Sequence, residues 1–155
     1  MRRTAVICCA LAGVALLTGA AAGSGAASSG HPENAGVKLL SCNPLAANDG
    51  GAAAFRGSMK ALGGTRYMWM RFTLYQQSGL AGFLRVAARA LEGWRKSSNG
   101  VGKFAYKQAV TGLGLGAAYR VTVHYRWFGD GGRLQESASR RSHACVLPGG
   151  PNLRS

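Results

Sequence analysis

The sequence predicts an all-β fold: a single antiparallel β-sandwich of six or seven strands, with one disulfide linking the first strand to the last. Three observations lead there. From Tyr119 to Trp127 the residues Tyr119, Val121, Val123, Tyr125 and Trp127 alternate with Arg120, Thr122, His124 and Arg126, the period-two pattern of a half-buried strand. The alternation stops at the hairpin signal Gly129-Asp130-Gly131-Gly132, and a second extended run leads to Cys145. Earlier in the chain, further short alternating runs are separated by turn-forming clusters such as Gly63-Gly64 and Ser97-Ser98-Asn99-Gly100.

Residues 1–27 have the layout of a signal peptide. Arg2 and Arg3 form a basic start, Ala5 to Leu17 is apolar and uncharged, and Thr18 to Ala27 is rich in small residues with A-x-A-like sites such as Ala20-Ala21-Ala22. Cleavage is expected near Ala22 or Ala27, with an uncleaved anchor as the alternative. The apolar run is short for a membrane span, so none is expected once the leader is gone. Cys8 and Cys9 precede most of the apolar region instead of following it, which argues against a lipoprotein, and Arg2-Arg3 alone is weak evidence for twin-arginine export. The expected location is secreted or extracytoplasmic. Residues 28–36 read as a flexible lead-in carrying Pro32, 37–148 as one domain, and 149–155 as a disordered tail. That length supports one core, and a monomer is expected.

Val37 to Asn43 is the expected first strand; its face is ambiguous, though Leu40 and Cys42 pointing inward would suit a bridge to the last strand. Ala52 to Leu62 is the second, with Ala53, Phe55, Gly57, Met59 and Ala61 on one side. Arg66 to Gln77 is the third. Met68, Met70, Phe72 and Leu74 line its inner face, and Tyr67, Trp69, Arg71, Thr73 and Tyr75 its outer face. Leu80 to Leu91 is ambiguous. Leu84, Ala87, Ala88 and Leu91 have helical spacing, while Phe83 to Ala87 suits a short strand with an irregular crossover to Trp94, the preferred reading. Lys103 to Thr111 alternates again. Arg133 to Val146 is the closing strand, its alternation blurred by Ser137, Ser139 and Ser142.

Leu113-Gly114-Leu115-Gly116-Ala117-Ala118-Tyr119 resembles the L-x-P-G-T-x-Y signature that precedes the sixth strand of fibronectin type III domains. Leu113, Gly116 and Tyr119 match; Leu115 replaces the usual Pro and Ala117 the usual Thr. The resemblance covers about two-thirds of the chain and implies a fibronectin or immunoglobulin-like sandwich. It also implies that Tyr119 forms a tyrosine corner, its hydroxyl bonded to upstream backbone. The mature domain is similar, too, to small exported actinobacterial proteins of uncharacterised function, in keeping with Ala, Gly and Arg enrichment. Such a fold hosts many activities and implies none.

Without the leader, Cys42 and Cys145 remain, and in an exported chain one intramolecular bridge between them is expected; two free thiols or an intermolecular bond are the alternatives. Lys and Arg number 19 against 5 Asp and Glu, a net charge of +14, of which the leader takes Arg2 and Arg3 and leaves +12. Such a balance favours anionic surfaces, although a merely solvated basic surface has the same composition.

Little suggests catalysis. Glu33, Asp49, Glu92, Asp130 and Glu136 show no sign of the paired carboxylates of a glycosidase. His31, His124 and His143 lack metal-ligand spacing, so neither a metal nor a cofactor is expected. No G-x-S-x-G elbow or phosphate loop is present. The candidate ligand-binding face is Tyr67, Trp69, Arg71 and Tyr75 on one strand beside Arg120, His124 and Arg126 on another. Aromatic rings beside arginines stack on sugars or bases and hold phosphates; they also serve simply as stabilising cross-strand pairs. The favoured expectation is a non-enzymatic interaction or structural module binding an anionic envelope polymer or another extracellular protein. A secreted cationic protein that binds nucleic acid or is toxic is the alternative. A hydrolase would need a pocket collecting His124, Glu136 or Asp130.

Overall fold

The computed structural model describes residues 33–44 and 50–149. The expected leader and nearly all of the expected tail, together with His31 and Asp49, lie outside the described residues. Among the described residues nine strands follow in order: β1 (Ala35–Asn43), β2 (Gly51–Lys60), β3 (Tyr67–Ser78), β4 (Leu84–Val86), β5 (Arg95–Lys96), β6 (Lys103–Leu113), β7 (Ala117–Phe128), β8 (Leu134–Arg141) and β9 (Cys145–Leu147). No α-helix occurs among the described residues. The count exceeds six or seven because the two-residue β5 is additional and the expected closing strand is split into β8 and β9.

All pairings are antiparallel and form two sheets. One has the order β1-β2-β6; the other has the order β4-β3-β7-β8, with β5 on β3 and β9 on β7. The alternating patterns decide what lies between them. Met68, Met70, Phe72 and Leu74 of β3 and Tyr119, Val121, Val123, Tyr125 and Trp127 of β7 are all buried, facing Ala53, Phe55 and Met59 of β2. A Cβ on Gly57 would stand 3.0 Å from Met70 Sδ and 3.1 Å from Phe72 Cζ, so the sheets pack tightly at a point where that strand has no side chain. Two buried donors cross the core: Tyr125 Oη donates to the Gly36 carbonyl at 2.6 Å and Trp127 Nε1 to the Lys60 carbonyl at 2.7 Å. Each lets a large aromatic ring bury its polar atom with a partner.

Cys42 and Cys145 form the disulfide, with Cα atoms 5.4 Å apart, joining β1 of one sheet to β9 of the other. Each cysteine reaches the bridge through one extra residue. In β1, Leu39 pairs with Phe55 but Ser41 already pairs with Ala54, so Leu40 is bulged out and 47 % exposed, contrary to its expected inward position. The bulge shifts the inward series from Val37 and Leu39 to Cys42, opposite buried Ala53. On the other side, Thr122 pairs with Arg141 while Tyr119 pairs with Cys145, again one residue more than an unbroken ladder needs. Buried Ser142 fills the step: its Oγ accepts from Val121 N–H and its N–H donates to the Val121 carbonyl.

β1 starts at Ala35, two residues inside the expected lead-in, and Ala35 is in the core. The ambiguous Leu80–Leu91 segment is a short strand followed by turns. Leu84 is 69 % exposed whereas Leu91 is buried, so the helical spacing marks no common face. The free edge of β3 supplies the hydrogen bonds that a short helix would have had to make alone. Tyr119 Oη donates to the Gly114 carbonyl at 3.2 Å, closing the turn in which Gly116 takes φ 75°.

Candidate functional site

β3 and β7 run side by side in a register that sets the outer face. Trp69 lies opposite Arg126, Arg71 opposite His124, Thr73 opposite Thr122 and Tyr75 opposite Arg120. The two outward series therefore form one surface. It is not open sheet: most of these side chains are half-buried, because the 79–102 segment folds over them.

The covering residue that matters most is Trp94. Its ring contacts two guanidinium groups, with Arg71 Cζ 4.8 Å and Arg126 Cζ 4.6 Å from the ring centroid. Trp69 packs on the same ring at 6.0 Å and on Phe128 at 4.8 Å, and Tyr67 stacks on Phe128 at 5.0 Å. Lys96 Nζ stands 4.4 Å from the Tyr67 ring. Farther along the strands, Arg120 Cζ lies 3.7 Å from the Phe83 ring, beside Tyr75. The candidate residues thus fall into a centre (Arg71, His124, Arg126), an aromatic cluster (Tyr67, Trp69) and a separate end (Tyr75, Arg120). Their cation–π partners are mainly Trp94 and Phe83 of the crossover, not one another.

At the centre, β8 adds a third wall. A groove of about 440 Å³ is lined by Arg71, Trp94, His124, Arg126, Ser139 and Arg140, among others, and by no carboxylate. Ser139 Oγ and His124 Nδ1 are 2.9 Å apart. Burial, then the charges of Arg71, Arg126 and Arg85, push the His124 imidazole below its ordinary range, favouring the neutral ring. Arg71 Nε and Trp69 Nε1 are buried without a hydrogen-bond partner. No Asp or Glu pairs with Arg71, Arg120 or Arg126 among the described residues.

The remaining acids lie elsewhere. Asp130 pairs with Arg66 at 2.6 Å in an exposed turn, and Glu92 lines a separate groove of about 220 Å³ that also touches Arg71. Neither Glu136 nor Asp130 joins His124 in its groove, so the collection a hydrolase would require is not assembled there. No group of three or more His, Cys, Asp or Glu side chains could hold a metal among the described residues.

Trp94, Phe83, Ser139 and Arg140 were not singled out by the sequence. Trp94-Arg95-Lys96, an aromatic with two cations, was the available signal, but β5 spans only Arg95–Lys96 and shows no alternation to aim it. No family model matches the chain, and no curated protein or solved structure matches it either.

Proposed function

We propose that the protein is a non-enzymatic binding module acting outside the membrane, and that it holds an anionic component of the cell envelope in the groove over Trp94. The observation that carries this reading is the indole in contact with both Arg71 and Arg126, beside His124, in a groove without a carboxylate. An anion there would meet two guanidinium groups already positioned by stacking, so little side-chain freedom would be lost on binding.

Catalysis is less well served. The Ser139–His124 pair has the atoms of a nucleophile and a base, but a base must become cationic, and burial, then the charges of Arg71, Arg126 and Arg85, oppose that. The fibronectin type III likeness belongs to the same proposal. It is supported by two antiparallel sheets, by the pairing of β3 with β7, and by the Tyr119 hydroxyl bonded to Gly114.

The test is retention of the purified protein on isolated cell envelopes. Binding is expected to weaken steeply with added salt and to be lost in the double variant Arg71→Glu with Arg126→Glu. Retention that ignores both would overturn the proposal. Nucleic acid is the second reading, favoured by the indole and the arginines together. A DNA or RNA band shift at low salt, abolished in Trp94→Ala, would move the assignment to it.

A further inference from the structure

The outer face of the β1-β2-β6 sheet carries a second set of cations, on the opposite side of the sandwich from the Trp94 groove. Lys38 pairs with Arg56, and Arg56 with Lys107, so three cations stand in one row across three strands. Four residues along β2, Lys60 pairs with Lys103 to make a second row. All five side chains are exposed. Neighbours within a row are about 5 Å apart, and the rows about 13 Å apart. Like charges directly opposite one another destabilise a sheet, and here they occur three times with no carboxylate set between them.

Between the rows lies a third line of paired residues, Gly36, Ser58 and Ala105, all small. They floor a trough of about 430 Å³ whose sides include Arg56, Lys60 and Lys103, with Glu33 at its lining as well. Phe104 lines the trough but is half-buried, and no fully exposed aromatic ring stands on this face among the described residues to stack on bases, which disfavours single-stranded nucleic acid. A flat bilayer surface would touch the cations but not the floor.

We infer that this face is a second binding site, for a linear polyanion without aromatic groups whose closely spaced phosphates or sulfates lie along the trough between the two cationic rows. It is independent of the Trp94 groove and would allow one molecule to engage two anionic chains.

The probe is long-chain inorganic polyphosphate, titrated into the disulfide-bonded full chain at several salt concentrations. Replacing Lys38, Arg56 and Lys107 together by Gln is expected to weaken binding at low salt at least about tenfold. It should also flatten the logarithmic salt slope by about two, given about 0.7 per lost contact on a single chain. Thermal midpoint should not fall, because the variant relieves like-charge pairs; the double variant Lys60→Gln with Lys103→Gln gives a second measure at the other row. Ala105→Trp fills the floor and is expected to reduce polyphosphate binding.

Unchanged affinity and slope in the triple variant would overturn the inference. So would a loss confined to Arg71→Gln with Arg126→Gln, which reports on the other face. Ala105→Trp that leaves polyphosphate unaffected but tightens binding to phosphatidylglycerol vesicles would assign the face to a bilayer instead.

Discussion

The Tyr125 hydroxyl reaches through the core to the Gly36 carbonyl, 2.6 Å away on the opposite sheet. Tyr125 stands between His124 and Arg126 of the Trp94 groove, and Gly36 is in the floor of the opposite trough, so one hydrogen bond spans the two candidate faces. Burial pushes the phenol far above its ordinary pKa, and it remains a donor at any practical pH. Tyr125→Phe is expected to cost about 1–2 kcal/mol, the loss of a hydrogen bond with its acceptor left behind. An unchanged urea midpoint would show the bond to be incidental.

The Cys42–Cys145 bridge closes a loop across a sequence separation of 103 residues. Chain entropy assigns it at most about 4–5 kcal/mol. Reduction, or Cys42→Ser with Cys145→Ser, should lower the denaturation midpoint substantially, and mass spectrometry of the oxidised protein should find no free thiol at either position. An equal midpoint with and without reductant would remove the bridge from the account of stability.

Gly57 sits where the two sheets pack tightly. A methyl there meets Met70 Sδ at 3.0 Å and Phe72 Cζ at 3.1 Å. Gly57→Ala is expected to destabilise by about 1–3 kcal/mol through overpacking, measured by thermal unfolding. A stabilised variant would mean that the Met70 side chain moves aside freely and that the gain in backbone entropy prevails.

The depressed His124 pKa has two consequences of fixed sign. The unfolded chain binds the proton more readily, so stability should fall as pH drops from about 6.5, the ordinary histidine value, through the lower folded value. An anion in the groove favours the imidazolium, so affinity should rise over the same interval. His124→Gln is expected to flatten both profiles. Affinity that does not change between neutral and mildly acidic pH would place the anion away from His124.

Trp94→Ala removes the surface on which Arg71 and Arg126 rest, at about 0.5–1 kcal/mol of stability for each exposed contact. Its effect on anion affinity should be larger than its effect on the midpoint, since both arginines lose their fixed orientation. Equal binding by wild type and variant would make the indole a structural cover.

Much of the fold was determined by the sequence alone. Strict alternation along β3 and β7 separated Met68, Phe72, Val121 and Val123 from Arg71, His124 and Arg126, because successive residues of a strand face opposite ways whatever their partner. Only the tertiary structure decided where that alternation slips. The bulge at Leu40 and the extra residue around Ser142 depend on register with Ala54 and Val121, far away in the chain, and they turn both cysteines toward each other. Trp94 was settled the same way: its neighbours Arg71 and Arg126 come from two other strands, and a two-residue β5 has no local period from which to read a direction. Periodicity is a property of one segment, whereas register and the cover of a sheet face are properties of pairs of segments.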